Sequence, residues 1–145
     1  MLSSNIHEAM TNKRFRKLDA VQQHIDTEEF APRYGDKEAD LGIIGWGATQ
    51  GSIREAVDRA RAKGYKVAAM HPRCLNPLPE QRLREFIASC KRIMVPECNH
   101  QGQFAHHLAA KLGLQPIRMN KIGGTPFTPG EILAKIEEVL AHAYA

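Results

Sequence analysis

The chain has 145 residues, a formal net charge of +4 and 25% charged residues, enough for one self-sufficient core of ordinary globular composition. No apolar run approaches the ~20 residues of a membrane span and the first residues lack an apolar signal core, so a membrane class is excluded and a cytoplasmic protein is predicted. Nucleic-acid binding wants a dense basic stripe interleaved with aromatic residues, whereas the only dense basic group here is Lys13, Arg14, Arg16 and Lys17.

Residues 4–26 read as an untidy amphipathic helix with Met10, Leu18, Val21 and Ile25 at partial helical spacing, a helix that must lean on its own domain or on a partner. Residues 27–39 are acidic and turn-rich and form a connector, with a weakly marked edge strand near Phe30 to Tyr34. Leu41, Ile43 and Ile44 then make the short apolar run of a strand buried on both faces. It is followed by glycines 45, 47 and 51 and a helix near 51–63, whose inner face is Ile53, Ala56, Val57 and Ala60 and whose stop is Gly64. A second strand spans Tyr65 to Met70, and the proline-fixed loop 71–79 follows. The next helix starts at about Pro79 and turns Leu83, Phe86, Ile87 and Cys90 inward. Arg92 to Val95 is the third strand and 96–102 a loop; a helix from Gln103 buries Phe104, Leu108 and Leu112 and stops at Gly113. Pro116 to Met119 is a short fourth strand. Thr128, Pro129 and Glu131 then form a capping box opening the last helix, whose buried face is Ile132, Leu133, Ile136, Val139 and Leu140.

Strands alternating with helices predict an α/β fold: a mostly parallel sheet with right-handed crossovers and helices on both faces. Ligands in such sheets gather beyond the carboxyl ends of the strands, where strand order reverses. If the first and third strands are neighbours, that reversal lies between the loop 45–51 and the loop 96–102. The candidate site residues are therefore Gly45, Trp46, Gly47, Thr49, Gln50 and Gly51 on one side, with Glu97, Asn99, His100, Gln101 and Gly102 on the other.

Each candidate has a structural reading beside the functional one. GWGATQG has the spacing GxGxxxG rather than the dinucleotide fingerprint GxGxxG, and Met70 and His71 stand where a ribose-binding acid would be. No GK[ST] follows, so a tight structural turn is the better reading. Trp46, between two glycines, reads as an exposed anchor for another domain or subunit. Asn99 reads as a helix cap, and Glu97 as an acceptor for backbone donors of a neighbouring turn. His71, Cys74, Cys98, His100, His106 and His107 have no zinc or iron ligand spacing, and three cysteines without CxxC make neither a disulfide framework nor a cluster. No nucleophile elbow is present, and no catalytic residue is assigned.

In order, GWGATQGSIREA, HPRCLNPLP, MVPECNHQGQFA and IGGTPFTPGEI resemble the C-terminal, transketolase C-terminal-like domain of 2-oxoacid:ferredoxin oxidoreductase alpha subunits. The segment HEAMTNKRFRKLD resembles that family's helical lead-in, so nearly the whole chain is covered. The resemblance implies a three-layer α/β/α domain over 40–145 preceded by a lead-in over 1–39. Its mixed sheet has about five strands, the antiparallel edge strand coming from 30–39. It further implies a structural or interface role within a thiamine-diphosphate enzyme that decarboxylates pyruvate, 2-oxoglutarate or a related acid oxidatively to an acyl-CoA and passes electrons through an iron–sulfur cluster to ferredoxin.

The segments that would hold thiamine diphosphate with Mg, and the CxxC of a cluster, are absent here, so no cofactor or metal is expected on this chain itself; those groups and CoA belong to the complete complex. The expected partners are the pyrimidine-binding domain of the alpha subunit, the thiamine-binding beta subunit and, through the complex, ferredoxin, with homo-oligomerisation besides. By resemblance the chain is part of such an enzyme, an excised domain or the product of a split gene. Leu78 stands where relatives often carry an aromatic residue. The alternative is a free-standing small-anion or nucleotide-binding module using the 45–51 and 97–102 loops.

Overall fold

The computed structural model describes residues 4–141; residues 1–3 of the expected lead-in and 142–145 of the expected α/β domain lie outside the described residues. The elements are α1 (Ser4–Ile25), β1 (Arg33–Gly35), β2 (Leu41–Ile44), a 3-10 turn (Gly47–Thr49), α2 (Gln50–Ala62), β3 (Val67–Met70), α3 (Glu80–Ala88), β4 (Ile93–Glu97), α4 (Gln103–Leu112), β5 (Ile117–Asn120) and α5 (Pro129–Ala141). The strands form one five-stranded sheet in the order β1-β3-β2-β4-β5. All pairings are parallel except β1 with β3. The antiparallel edge thus comes from the connector, as expected.

Alternation along the buried strands divides the core in two. Leu41 and Ile43 of β2 face α2 and α5, where they meet Ile53, Ala56, Val57, Ala60, Ile132 and Ile136. Ile44, Ala68 and Val95 face α3 and α4, meeting Leu83, Phe86, Phe104 and Leu108. The result is the three-layer α/β/α arrangement, with every predicted helix in place and the inner faces of α2 to α5 turned into the core, Ile87, Cys90, Leu112 and Leu133 at its partly buried margin. Leu78 is 2% exposed and fills its place in the second layer as an aliphatic side chain.

The glycines near β2 have packing roles that composition does not announce. A Cβ on Gly42 would stand 2.6 Å from Cys90 Sγ, 2.9 Å from Ile93 Cδ1 and 3.0 Å from Phe86 Cε1. One on Gly45 would stand 2.1 Å from Ile53 Cδ1 and 2.9 Å from Thr49 Oγ1. Both keep a central strand flush against the helices over it.

The third predicted strand runs two residues further, through Pro96 and Glu97. Its bridges to β2 end at Met94, while those to β5 continue to Glu97 opposite Asn120. Past the end of β2 the strand has one neighbour only, so a residue without an N–H can be accommodated. The N-terminal helix, by contrast, leans on the body only by its last turn: among its described side chains Ile25 alone is buried, and Ile6, Met10, Phe15, Leu18 and Val21 are 37–62% exposed.

The capping box is present in both directions. Thr128 N–H donates to Glu131 Oε2 at 2.7 Å, and Glu131 N–H donates to Thr128 Oγ1 at 3.2 Å. Lys121 Nζ reaches the same carboxylate at 2.7 Å. Lys121 first, then the backbone N–H and hydroxyl of Thr128, pull the Glu131 carboxyl down to about 2. A carboxyl depressed in the folded state contributes stability above its unfolded value, ~4.3, and loses that contribution as pH falls toward 2. Following the Glu131 side-chain carbon by NMR should therefore place its midpoint near 2, and Glu131→Gln should flatten the stability profile between pH 5 and 2. A midpoint near 4 would mean the cap is not closed in solution.

Candidate functional site

β2 and β4 are adjacent, and the crossovers leave them in opposite directions, to β3 on one side and β5 on the other. The reversal point is therefore where the sequence placed it. A cleft of about 320 Å³ opens there. Of the expected residues, Trp46, Gly47, Thr49, Glu97 and Asn99 line it, joined by Ala48, Cys98, Gln103 and Pro126.

The remaining candidates do not line this cleft. Gly45 is buried beneath the turn, and Gly51 is exposed in the first turn of α2. Gln50 borders a separate hollow of about 70 Å³ with Tyr34, Arg54 and His71. His100 lends its carbonyl to Asn120 Nδ2 at 2.9 Å, and Gln101 is exposed. Gly102 stands at φ +67, against Asn120, as the residue preceding α4.

One wall of the cleft is built on Glu97. This side chain is 1% exposed, and it sits at the end of β4 directly under the first turn of α4. Phe104 N–H donates to Oε2 and Ala105 N–H to Oε1, each at 2.8 Å, and Asn99 Nδ2 donates to Oε2 at 2.8 Å. Because the residue before the helix is a glycine with no side chain to cap it, the carboxylate supplies the cap from seven and eight residues upstream. Asn99 Oδ1 accepts from Gly102 N–H at 2.6 Å and closes the intervening turn. Both side chains serve the protein's own backbone, but with the expected roles exchanged: Glu97 caps α4 and Asn99 closes the turn before it.

The opposite wall is the turn after β2. Gly47 adopts φ +60, a left-handed conformation that an unbranched backbone takes without cost. Its carbonyl lies 3.1 Å from His71 Nε2, and Thr49 Oγ1 donates to the Trp46 carbonyl at 2.8 Å. Burial pushes the His71 imidazole below its ordinary value, partly offset by the Gly47 bond. A neutral imidazole donating Nε2–H to Gly47 thus braces the turn, a role the sequence did not reveal. Trp46 is half-buried rather than an exposed anchor: its ring meets Phe104 of α4 edge-on, centroids 6.3 Å apart. The adjacency of β2 and β4 brings the two rings together, and no pattern within either segment could show it.

Chemically, the Glu97 carboxylate, the Asn99 amide and the Thr49 hydroxyl at this cleft are engaged within the protein itself. Among the described residues no three His, Cys, Asp or Glu side chains converge as a metal site. His107 Nε2 lies 3.0 Å from the Leu75 carbonyl, while its neighbour His106 is exposed on another side of α4. No helix of the described residues is long and apolar enough to cross a membrane.

Comparison with known proteins places the chain among relatives. The family described as pyruvate:ferredoxin oxidoreductase core domain II matches residues 39–132. The 2-oxoglutarate oxidoreductase subunit KorA of Mycobacterium tuberculosis is 37% identical over 93% of this chain, and subunit alpha of 2-oxoacid:ferredoxin oxidoreductase 2 of Aeropyrum pernix is 29% identical over 93%. The chain spans 20% and 21% of the length of these two curated relatives. Among solved structures, a 2-oxoglutarate:ferredoxin oxidoreductase from Magnetococcus marinus, with 2-oxoglutarate, coenzyme A and succinyl-CoA bound, superposes over 95% of this chain and 24% of its own, at a TM-score of 0.83 and 41% identity. The alpha chain of a probable 2-oxoacid ferredoxin oxidoreductase from Thermoplasma acidophilum shares the fold, with a TM-score of 0.54 at 24% identity, over 78% of this chain and 98% of that one.

Proposed function

Because this chain belongs to the pyruvate:ferredoxin oxidoreductase core domain II family and is an alpha-subunit domain of the 2-oxoacid:ferredoxin oxidoreductases, we propose that it is the structural and interface domain of an enzyme acting on 2-oxoglutarate. The observation that carries the substrate is the match to the Magnetococcus marinus enzyme, 41% identical over 95% of this chain. The complete complex would convert 2-oxoglutarate and CoA to succinyl-CoA and CO2, two electrons leaving through an iron–sulfur cluster to ferredoxin.

The residues present do not suit the complex's inorganic groups: the described side chains hold no three-ligand cluster for Mg or iron. In this reading thiamine diphosphate with its Mg, the cluster and CoA are held by other parts of the complex, with the pyrimidine-binding domain and the thiamine-binding beta subunit as this domain's neighbours, in the cytoplasm. The cleft supports a scaffold over an anion-binding module, because Glu97 is consumed by α4 and Thr49 Oγ1 by the Trp46 carbonyl.

Reconstitution tests this reading. The chain, combined with the rest of the alpha subunit and the thiamine-binding subunit, should support CoA-dependent reduction of ferredoxin by 2-oxoglutarate in preference to pyruvate. Equal turnover when the chain is left out would overturn the role, and preference for pyruvate would overturn the substrate.

A further inference from the structure

Among the described residues, the buried and hydrogen-bonded attachments of α1 to the body lie at its carboxyl end. Ile25 is 1% exposed, Gln22 Nε2 donates to the Leu78 carbonyl at 2.8 Å, and Asp26, just past the helix, accepts from Arg82 N–H at 3.2 Å. These contacts fix the direction in which the helix leaves. Beyond them it carries five of the six large hydrophobic side chains exposed among the described residues. Ile6, Met10, Leu18, Val21 and Ile25 fall on one broad arc at helical spacing, interleaved with Arg14 and Lys17, with Phe15 at its border and 62% exposed. A groove of about 240 Å³ runs beside it, with Phe15 and Leu18 on one wall and Pro77 and Leu78 on the other. Five large apolar side chains exposed on a single helix in water mark a contact surface, and helix alone is marginal without a partner to pack on.

Charge selects the occupant. Lys13, Arg14, Arg16 and Lys17 lie at the middle of α1 and form no salt bridge among the described residues. A second copy packed antiparallel on α1 would place these cations on their own equivalents, so any homo-oligomer forms through another face. The complement is an apolar groove rimmed by Asp and Glu. The relatives match 93% of this chain yet carry most of their own length outside the match, so the alpha subunit has further surface on which such a groove can lie.

We propose that α1 is a docking helix that seats in an acid-rimmed apolar groove on the remainder of the alpha subunit, an inference that rests on the functional reading above. Light scattering of the chain alone, then titration of it with the remainder of the alpha subunit, tests this. The expected results are no dimer built on α1, and a complex whose Kd rises at least tenfold for Met10→Glu/Phe15→Glu, for Arg14→Glu/Lys17→Glu, and on raising salt from 0.1 to 0.5 M. The melting temperature of the chain alone should stay unchanged in both variants, which separates lost docking from lost folding. A dimer abolished by Phe15→Glu, or a complex as tight with both variants as with wild type, would overturn it. If the complex forms as described yet shows no turnover of any 2-oxoacid, the functional reading fails while the docking surface stands; no complex at all defeats both.

Discussion

Glu97→Ala should cost about 3 kcal/mol, because it strips a buried charge-assisted cap from α4 and leaves the N–H groups of Phe104 and Ala105 without acceptors inside the protein. At this chain length that is a fall in Tm of roughly 6–12 °C. Glu97→Gln is the more discriminating variant. Its size fits, but one oxygen becomes an NH2 that faces either the Ala105 N–H or the Phe104 N–H together with the Asn99 amide, donor against donor. It should therefore lose most of what alanine loses. The cleft would loosen with the helix, since Phe104 carries the edge contact to Trp46, and Trp46 emission should shift to the red in both variants. A cost below about 1 kcal/mol in both, with unchanged emission, would show that the carboxylate does not hold the helix start.

The second large effect belongs to Gly42. Alanine there must displace Cys90, Ile93 and Phe86 at once, and overpacking of this kind costs about 2 kcal/mol. Alanine is otherwise the better strand residue, since glycine gives up more backbone entropy on folding. A neutral or stabilising result would therefore mean the layer between β2 and α3 is looser than described. The Cys90 thiol is the nearest obstacle, at 2.6 Å. In a double-variant cycle, Cys90→Ala should recover about 1 kcal/mol of the Gly42→Ala cost. Additive losses would place the strain on Ile93 and Phe86 instead.

Most of the architecture is legible without coordinates because it rests on local periodicity. The face of α2 formed by Ile53, Ala56, Val57 and Ala60, the capping box at Thr128 and Glu131, and the glycine stops after α2 and α4 are each encoded within one turn or two of their own sequence. The cleft was legible only as a location. Glu97 and Asn99 sit where the reversal argument put them, yet β4 reaches Glu97 through a proline because of which neighbour it has there, a fact of sheet order rather than of the segment.

The sequence by itself determined the element order and most of the buried faces, since periods of 2 and 3.6 and turn chemistry are short-range consequences of side-chain shape, while the family and the edge strand's origin followed from the resemblance of its motif blocks. Tertiary structure alone decided the pairings between distant segments: Trp46 on Phe104, His71 on Gly47, Gly42 against Cys90, and an α1 of which Ile25 alone among the described side chains is buried. Those depend on which strands lie side by side, and no local pattern records adjacency.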